Sequence, residues 1–263
     1  MSRSYLAKVL LFGEHVVLRG GRGLAVPYPG SALRWERRRP DERLLALADY
    51  LRTELTPGWL DHDRLERELR VEGWRLEGDV PEGYGLGSSG AVCAAVWDRY
   101  GTAAGRRLDG EALRQALASM EQHFHGRSSG TDPLVSLLNK PLVLGGAASP
   151  TVVRLGLDWR DVFELVDTGK PRSAAPLIET FLRRWDTDDD FRARAQGQWL
   201  GASNRAITAL LSGDRVALAT AFRTVAAFQN AALPEFFPPP QRHRGLKLCG
   251  AGGGGMLLKL RGD

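Results

Sequence analysis

The 263-residue sequence predicts an α+β fold in two domains, on three observations. Strand-like and helix-like segments alternate along it without the regular βαβ rhythm of a doubly wound sheet. Two glycine-rich segments, at residues 83–89 and 250–255, each adjoin apolar runs. Between them, Gly145-Gly146 followed by Ser149-Pro150 marks a boundary, which divides the chain into domains of residues 1–148 and 149–263.

The elements follow in order. Tyr5 to Phe12 is mostly apolar, interrupted by Lys8, and reads as a strand ended by Gly13-Glu14-His15. Leu24 to Tyr28 reads as a second strand, closed by Pro29-Gly30. Leu44, Leu45, Leu47, Leu51 and Leu55 recur at helical spacing and predict a helix over residues 41–56. Residues 65–74 fit a helix or a strand, with a strand favoured over the second half. Gly83, Gly85 and Gly87 run into Ser88-Ser89 and the apolar run Ala91 to Trp97, so a loop and its helix cover residues 83–100. Leu113, Leu117 and Met120 predict a helix over 110–124, Leu134 to Leu138 one or two helical turns, and Pro141 to Leu144 a strand. Beyond the boundary, strands are expected at 151–155 and 162–167, with two or three helices filling about 173–234 until Pro234 to Pro240 breaks them. Leu246 to Cys249 and Met256 to Leu260 read as strands around the second glycine segment.

Composition narrows the class of function. Apolar content of 43% and charged content of 25% suit a soluble globular protein. No run approaches the ~18 apolar residues of a membrane span and no signal-peptide pattern opens the chain, so a cytoplasmic protein with no membrane partner is expected. Thirty-six basic against 31 acidic residues give a net charge of +5, and the arginines are interleaved with Asp and Glu. Arg37-Arg38-Arg39 therefore reads as a solvated loop, and nucleic acid is not an expected partner. With only five lysines in the chain, a lysine inside a motif carries more weight than usual. Cys93 and Cys249 form no C-x-x-C pair, which argues against a zinc site or a disulfide framework.

Four segments could carry chemistry. Lys8 in an apolar strand ordinarily points to solvent; its functional alternative is a cation held near a phosphate or a carboxylate. The glycine loop is either a flexible turn or an anion-binding helix entry, where Ser88 or Ser89 opens a helix with outward-facing N–H groups. Glu121 closes a helix and Asp132 opens another across a glycine-containing loop, as a surface acid and an N-cap or as metal ligand and general base. His123 and His125 are not a metal pair, because residues two apart on a helix point to nearly opposite sides. Lys247 to Gly255 holds more glycine than a tight turn needs, which favours a loop packed by its backbone against a ligand or against the first glycine loop.

Together these segments resemble the GHMP kinase superfamily and, within it, the mevalonate kinase family. Lys8-Val-Leu-Leu-Phe-Gly-Glu-His15 is similar to the family's first motif, Pro81 to Ser89 to its phosphate loop, and Lys247 to Gly255 to its third motif. Glu121 and Asp132 fall at the family's spacing, with His125-Gly126 and Ser129-Gly130 between them, and Asp167 to Ser173 continues the likeness. Departures are Gly90 in place of the usual Ala, Cys249 in place of Thr, Pro133 in place of Asn, and Arg127-Ser128 in place of Asn-Pro. The resemblance implies an N-terminal mixed-sheet phosphate-loop domain, a C-terminal ferredoxin-like α+β domain and an active site in the cleft between them. It implies ATP and Mg²⁺ as cofactors, mevalonate as substrate and a role in isoprenoid biosynthesis. Gly83, Tyr84, Gly85, Leu86, Gly87, Ser88 and Ser89 would cradle the ATP phosphates, and Ser89 and Glu121 would hold Mg²⁺. Asp132 would act as base beside Lys8, and Glu14 and His15 would lie on the acceptor side. The resemblance leaves open whether the chain is a monomer or a homodimer.

Overall fold

A computed structural model describes residues 3–145, 149–172, 174–239 and 245–262. Residues 146–148 at the expected domain boundary, Ser173 at the end of the Asp167 segment and Pro240 of the proline run lie outside the described residues. The chain forms two compact units interleaved along the sequence. One contains residues 1–8, 27–81 and 87–140, the other residues 9–26, 82–86 and 141–263.

Strands β1 (Ser4–Phe12) and β2 (Gly23–Arg37) run through both units. In the first unit the later part of β2 pairs with an antiparallel partner, Leu33 opposite Gly78 and Arg37 opposite Trp74. Helix α1 (Glu42–Glu54) starts where the Asp41 carboxylate accepts from the Arg43 amide, and it buries Leu44, Leu45, Leu47, Ala48 and Leu51. Helix α2 (His62–Arg70) occupies most of the stretch read as ambiguous, and β3 begins only at Trp74 and ends at Gly78. The strand favoured over the second half of 65–74 is thus corrected. Asp61 caps the Arg64 amide, Leu65 and Leu69 fall one turn apart on the buried side, and Gly73 (φ +71°) makes the break. Helix α3 (Ser88–Tyr100) is buried along much of its length. Helices α4 (Gly110–His125) and α5 (Thr131–Leu138) follow, α4 closing on Gly126 and α5 opening from Gly130, both left-handed at φ +68° and +70°.

In the second unit β4 (Leu142–Leu144) lies antiparallel to the start of β2, Gly23 opposite Leu144, and β5 (Thr151–Val152) pairs with β4. The second strand was expected to close at Pro29-Gly30, but β2 continues to Arg37. Those two residues fall between the β4 ladder at 23–25 and the β3 ladder at 33–37, where a missing proline N–H removes no bond from either. The short helix α6 (Trp159–Val162) leads into β6 (Phe163–Asp167). Helices α7 (Ala175–Thr187), α8 (Asp189–Ala195), α9 (Gly201–Ser212) and α10 (Arg215–Ala232) come next, then β7 (Leu246–Leu248) and β8 (Met256–Leu260). One wide π-helical turn, Gln196–Leu200, joins α8 to α9, with the Gly201 amide donating to the Gln196 carbonyl. Strand β8 lies between β6 and β7, antiparallel to both. Phe181, Phe191, Trp199, Phe228 and Phe236 form an aromatic core with Leu248 and Leu257. Among the described residues no helix is long and apolar enough to cross a membrane.

Candidate active site

In the first unit the site is built from β1, the start of α3, the end of α4 and the start of α5. Lys8 does not point to solvent. Its Nζ lies 3.0 Å from Asp132 Oδ2, with the lysine side chain 7% exposed and the aspartate 33%. Asp132 sits in the first turn of α5, where the positive end of the helix favours a carboxylate. Gly87, the residue before α3, is left-handed at φ +73°. A Cβ on it would come within 2.8 Å of Lys8 Cγ and 3.5 Å of Asp132 Oδ2, so bare backbone lies directly against the ion pair. At Gly90, one of the departures from the family pattern, a Cβ would stand 2.7 Å from the Asp132 carbonyl carbon and from Pro133 N. Glycine at this position is what lets α3 and α5 approach so closely.

Ser88 and Ser89 are the first two residues of α3. The helix's own hydrogen bonds start with the Ala91 amide donating to the Gly87 carbonyl, so the amides of Ser88 to Gly90 have no partner within the helix. Ser89 Oγ donates to Glu121 Oε1 at 2.9 Å, and Ser128 Oγ donates to Glu121 Oε2. His125 Nε2 lies 3.0 Å from Ser89 Oγ, one helical turn beyond Glu121. Burial, followed by the charge of Asp132, pushes the Glu121 carboxyl up to about 7, against the pull of the two serine hydroxyls and Lys8. His123 goes elsewhere, tilted against Tyr50 at 5.0 Å between ring centres. The assembly offers two carboxylates, one ammonium, two serine hydroxyls, an imidazole and, at a helix start, amides with no partner within the helix. Serine and carboxylate oxygens are the hard donors Mg²⁺ takes, and a pair of them suits an ion that completes its shell with water and phosphate. Among the described residues no group of three or more His, Cys, Asp or Glu side chains is arranged to hold a metal ion.

The rest of the glycine loop lies in the second unit, because the chain passes from one unit to the other between Leu86 and Gly87. The Gly83 carbonyl accepts from the Arg172 amide at 2.8 Å. The Arg172 guanidinium lies against the Cα faces of Gly85 and Gly250, and Tyr84 and Gly255 pack backbone to backbone. The third glycine segment thus lines the first glycine loop with main chain. Leu86 is buried. Glu14 is fully buried and paired with Lys247, whose Nζ also donates to the Leu248 carbonyl at 2.6 Å and lies 5.1 Å from the Phe12 ring centre. His15 has a positive φ of +57° and packs against Phe181, Trp199 and Phe236. Its Nε2–H donates to the Ala251 carbonyl at 3.0 Å, since a carbonyl can only accept. Burial lowers the imidazole to about 4, so it is neutral at physiological pH.

Lys8 with Asp132, and Ser89 with Glu121, are thus brought together as the motifs suggest. The sequence reading missed Ser128 and His125 as partners of that cluster, Lys247 as the counter-ion of Glu14, and Arg172 between the glycine loops. The glycine at 85 and 250, each beside a neighbour that leaves no room for a side chain, was the one signal that could have pointed to Arg172.

Residues 44–140 match the GHMP kinases N terminal domain. A mevalonate kinase of Archaeoglobus fulgidus is 33% identical over 148 residues, 52% of this chain and 50% of that protein, so the match spans half of that relative's length. The mevalonate kinase of L. major, solved in complex with R-mevalonate, shares the fold at a TM-score of 0.64 and 17% identity, covering 100% of this chain and 87% of that one. The phosphomevalonate kinase of Streptococcus pneumoniae does so at 0.66 and 14%, covering 100% and 92%. Residues 44–140 are thus similar to a GHMP kinase N-terminal domain, and the chain shares its α+β fold with solved GHMP kinases. In sequence the likeness over half of the chain is to a mevalonate kinase, while the fold is shared alike with mevalonate kinase and phosphomevalonate kinase.

Proposed function

We propose that the chain is an ATP-dependent kinase that phosphorylates the primary hydroxyl of mevalonate to give 5-phosphomevalonate, a step of isoprenoid biosynthesis in the cytoplasm. The observation that carries this is the Lys8–Asp132 pair seated against the bare backbone of Gly87, at the helix start that also holds Ser89 and Glu121. In this reading the amides of the Gly83–Ser89 loop bind the ATP phosphates. Asp132 takes the proton of the acceptor hydroxyl as its oxygen bonds to the γ-phosphorus and the bond to the bridging β–γ oxygen breaks, releasing ADP. Lys8, ion-paired with Asp132, offsets negative charge on the transferring group. Ser89 and Glu121 would hold Mg²⁺, which when bound would offset negative charge on the nucleotide phosphates. Glu14 and His15 belong to the acceptor side and act through the shape of the Gly13–His15 turn, since Glu14 is tied to Lys247 and His15 to Ala251. Residues 1–148 would serve as the phosphate-loop and base domain, and residues 149–263 as the domain of the third motif.

The test is ADP release with MgATP and a panel of acceptors. Mevalonate should exceed phosphomevalonate, homoserine and galactose by about 100-fold in kcat/KM, a gap of ~3 kcal/mol that unpaired polar groups supply. Phosphomevalonate is the second reading. Arg127, exposed on the Glu121–Asp132 loop, favours it by offering a cation for an acceptor phosphate. Faster turnover of phosphomevalonate would settle for that substrate and make Arg127 the first residue to replace.

A further inference from the structure

We propose that Ser128 is a positioning residue that clamps Glu121 in the orientation required of a metal ligand; the inference rests on the function proposed above. A serine hydroxyl has one proton to give and lone pairs to accept with. The Gly130 amide donates to Ser128 Oγ at 2.9 Å, which occupies the acceptor side and leaves the hydroxyl proton aimed at Glu121 Oε2. The other carboxylate oxygen is held the same way. Ser89 spends its proton on Glu121 Oε1, so its contact with His125 is acceptance from Nε2–H. Each oxygen of Glu121 therefore faces a hydroxyl whose direction is fixed by an N–H behind it.

Glu121 is buried, so solvent competes little with these bonds and each is stronger than it would be at the surface. The Ser128 relay also ties α4 to the first residue before α5, since Gly130 is the N-cap two positions ahead of Asp132. One hydroxyl thereby links the orientation of Glu121 to the entry of the helix that carries the base. The proline usual in the family at this position has no donor and could not make this link.

The experiment compares the parent with Ser128→Ala and Ser128→Thr in the full chain. Mn²⁺ affinity in the presence of ATP is read by electron paramagnetic resonance, the Mg²⁺ and rate profile by ADP release, and the Gly130 amide by hydrogen exchange. Ser128→Ala should weaken Mn²⁺ binding and raise the half-saturating Mg²⁺ about tenfold, as loss of one charge-assisted hydrogen bond implies. Its Gly130 amide should exchange faster, and Ser128→Thr should restore both properties. Parental metal affinity in Ser128→Ala, or parental exchange at Gly130, overturns the clamp. A parent that neither binds Mn²⁺ with ATP nor transfers phosphate overturns the proposed function instead, and Gly130 exchange then still decides whether the clamp exists.

Discussion

Two lysine–carboxylate pairs are found among the described residues, and they are built for opposite ends. Lys8 reaches Asp132 at 3.0 Å with a third of the aspartate side chain open, at a helix start and against a glycine backbone. Lys247 and Glu14 are both fully buried, and Glu14 Oε2 has no hydrogen-bond partner among the described residues. Burial raises the Glu14 carboxyl while Lys247 pulls it down, so the pair persists only because each charge answers the other. The open pair can exchange its proton with a substrate. The sealed pair has nothing to exchange with, and its worth is in fixing β7 to the turn after β1. The same two side-chain chemistries become reagent or strut according to solvent access.

Replacing the acid of the open pair should break that comparison most visibly. Asp132→Asn should lower kcat by about two to four orders of magnitude, the size of general-base catalysis, and leave the urea unfolding midpoint nearly unchanged. Lys8→Met should lose a similar factor, and the double variant no more than the worse single one, because the two act as a unit. Near-normal turnover of Asp132→Asn would remove it from the chemistry. At the sealed pair the loss should appear in stability. Lys247→Met strands a buried carboxylate and should cost about 3–5 kcal/mol in urea unfolding, most of it recovered when Glu14→Leu is added. If the single variant unfolds like the parent, the pair is no strut.

The next effect belongs to His15, beside the sealed pair. Its folded-state value of about 4 lies below the usual 6.5, so in the unfolded chain it binds a proton that the folded protein refuses. Its stabilisation is complete above pH 6.5 and drains away as pH falls toward 4, which amounts to about 2–3 kcal/mol between pH 7.5 and 4.5. His15→Asn, which removes the imidazole, should lose less stability than the parent across that interval. An equal acid loss in both proteins would show that another group carries it. The smallest change is Gly90→Ala. The added methyl must push the start of α5 away from α3 and should cost about 1–3 kcal/mol, with a fall in kcat because Asp132 moves with it.

Much of the open site was legible because its signals are local. Glycines at 83, 85 and 87 announce a backbone that turns left-handed, and all three have positive φ. Glu121 and Asp132 sit at helix ends that hydrophobic spacing alone could place. Lys8 was ambiguous, since a lysine in a strand looks the same whether or not an acid waits 124 residues later. The sealed site was illegible for the same reason: Glu14 finds its partner 233 positions away, and nothing in the spacing marks Lys247 as its counter-ion. The misread stretch at 65–74 failed locally. Leu65 and Leu69 fit either period, and the deciding Asp61 cap lies before the window considered.

The π-helical turn at Gln196–Leu200 also governs how this chain tolerates change in length. Phe191, Ala195, Trp199 and Ser203, all buried, are spelled with a four-residue beat. In an unbroken α-helix such a stripe drifts sideways by about 40° at every step. The wide turn takes up that drift and keeps Trp199 facing His15 and Phe228. Deleting one residue there would give a more regular helix and a worse protein. Every side chain downstream would swing by about 100°, and the tryptophan that backs His15 would turn away from it.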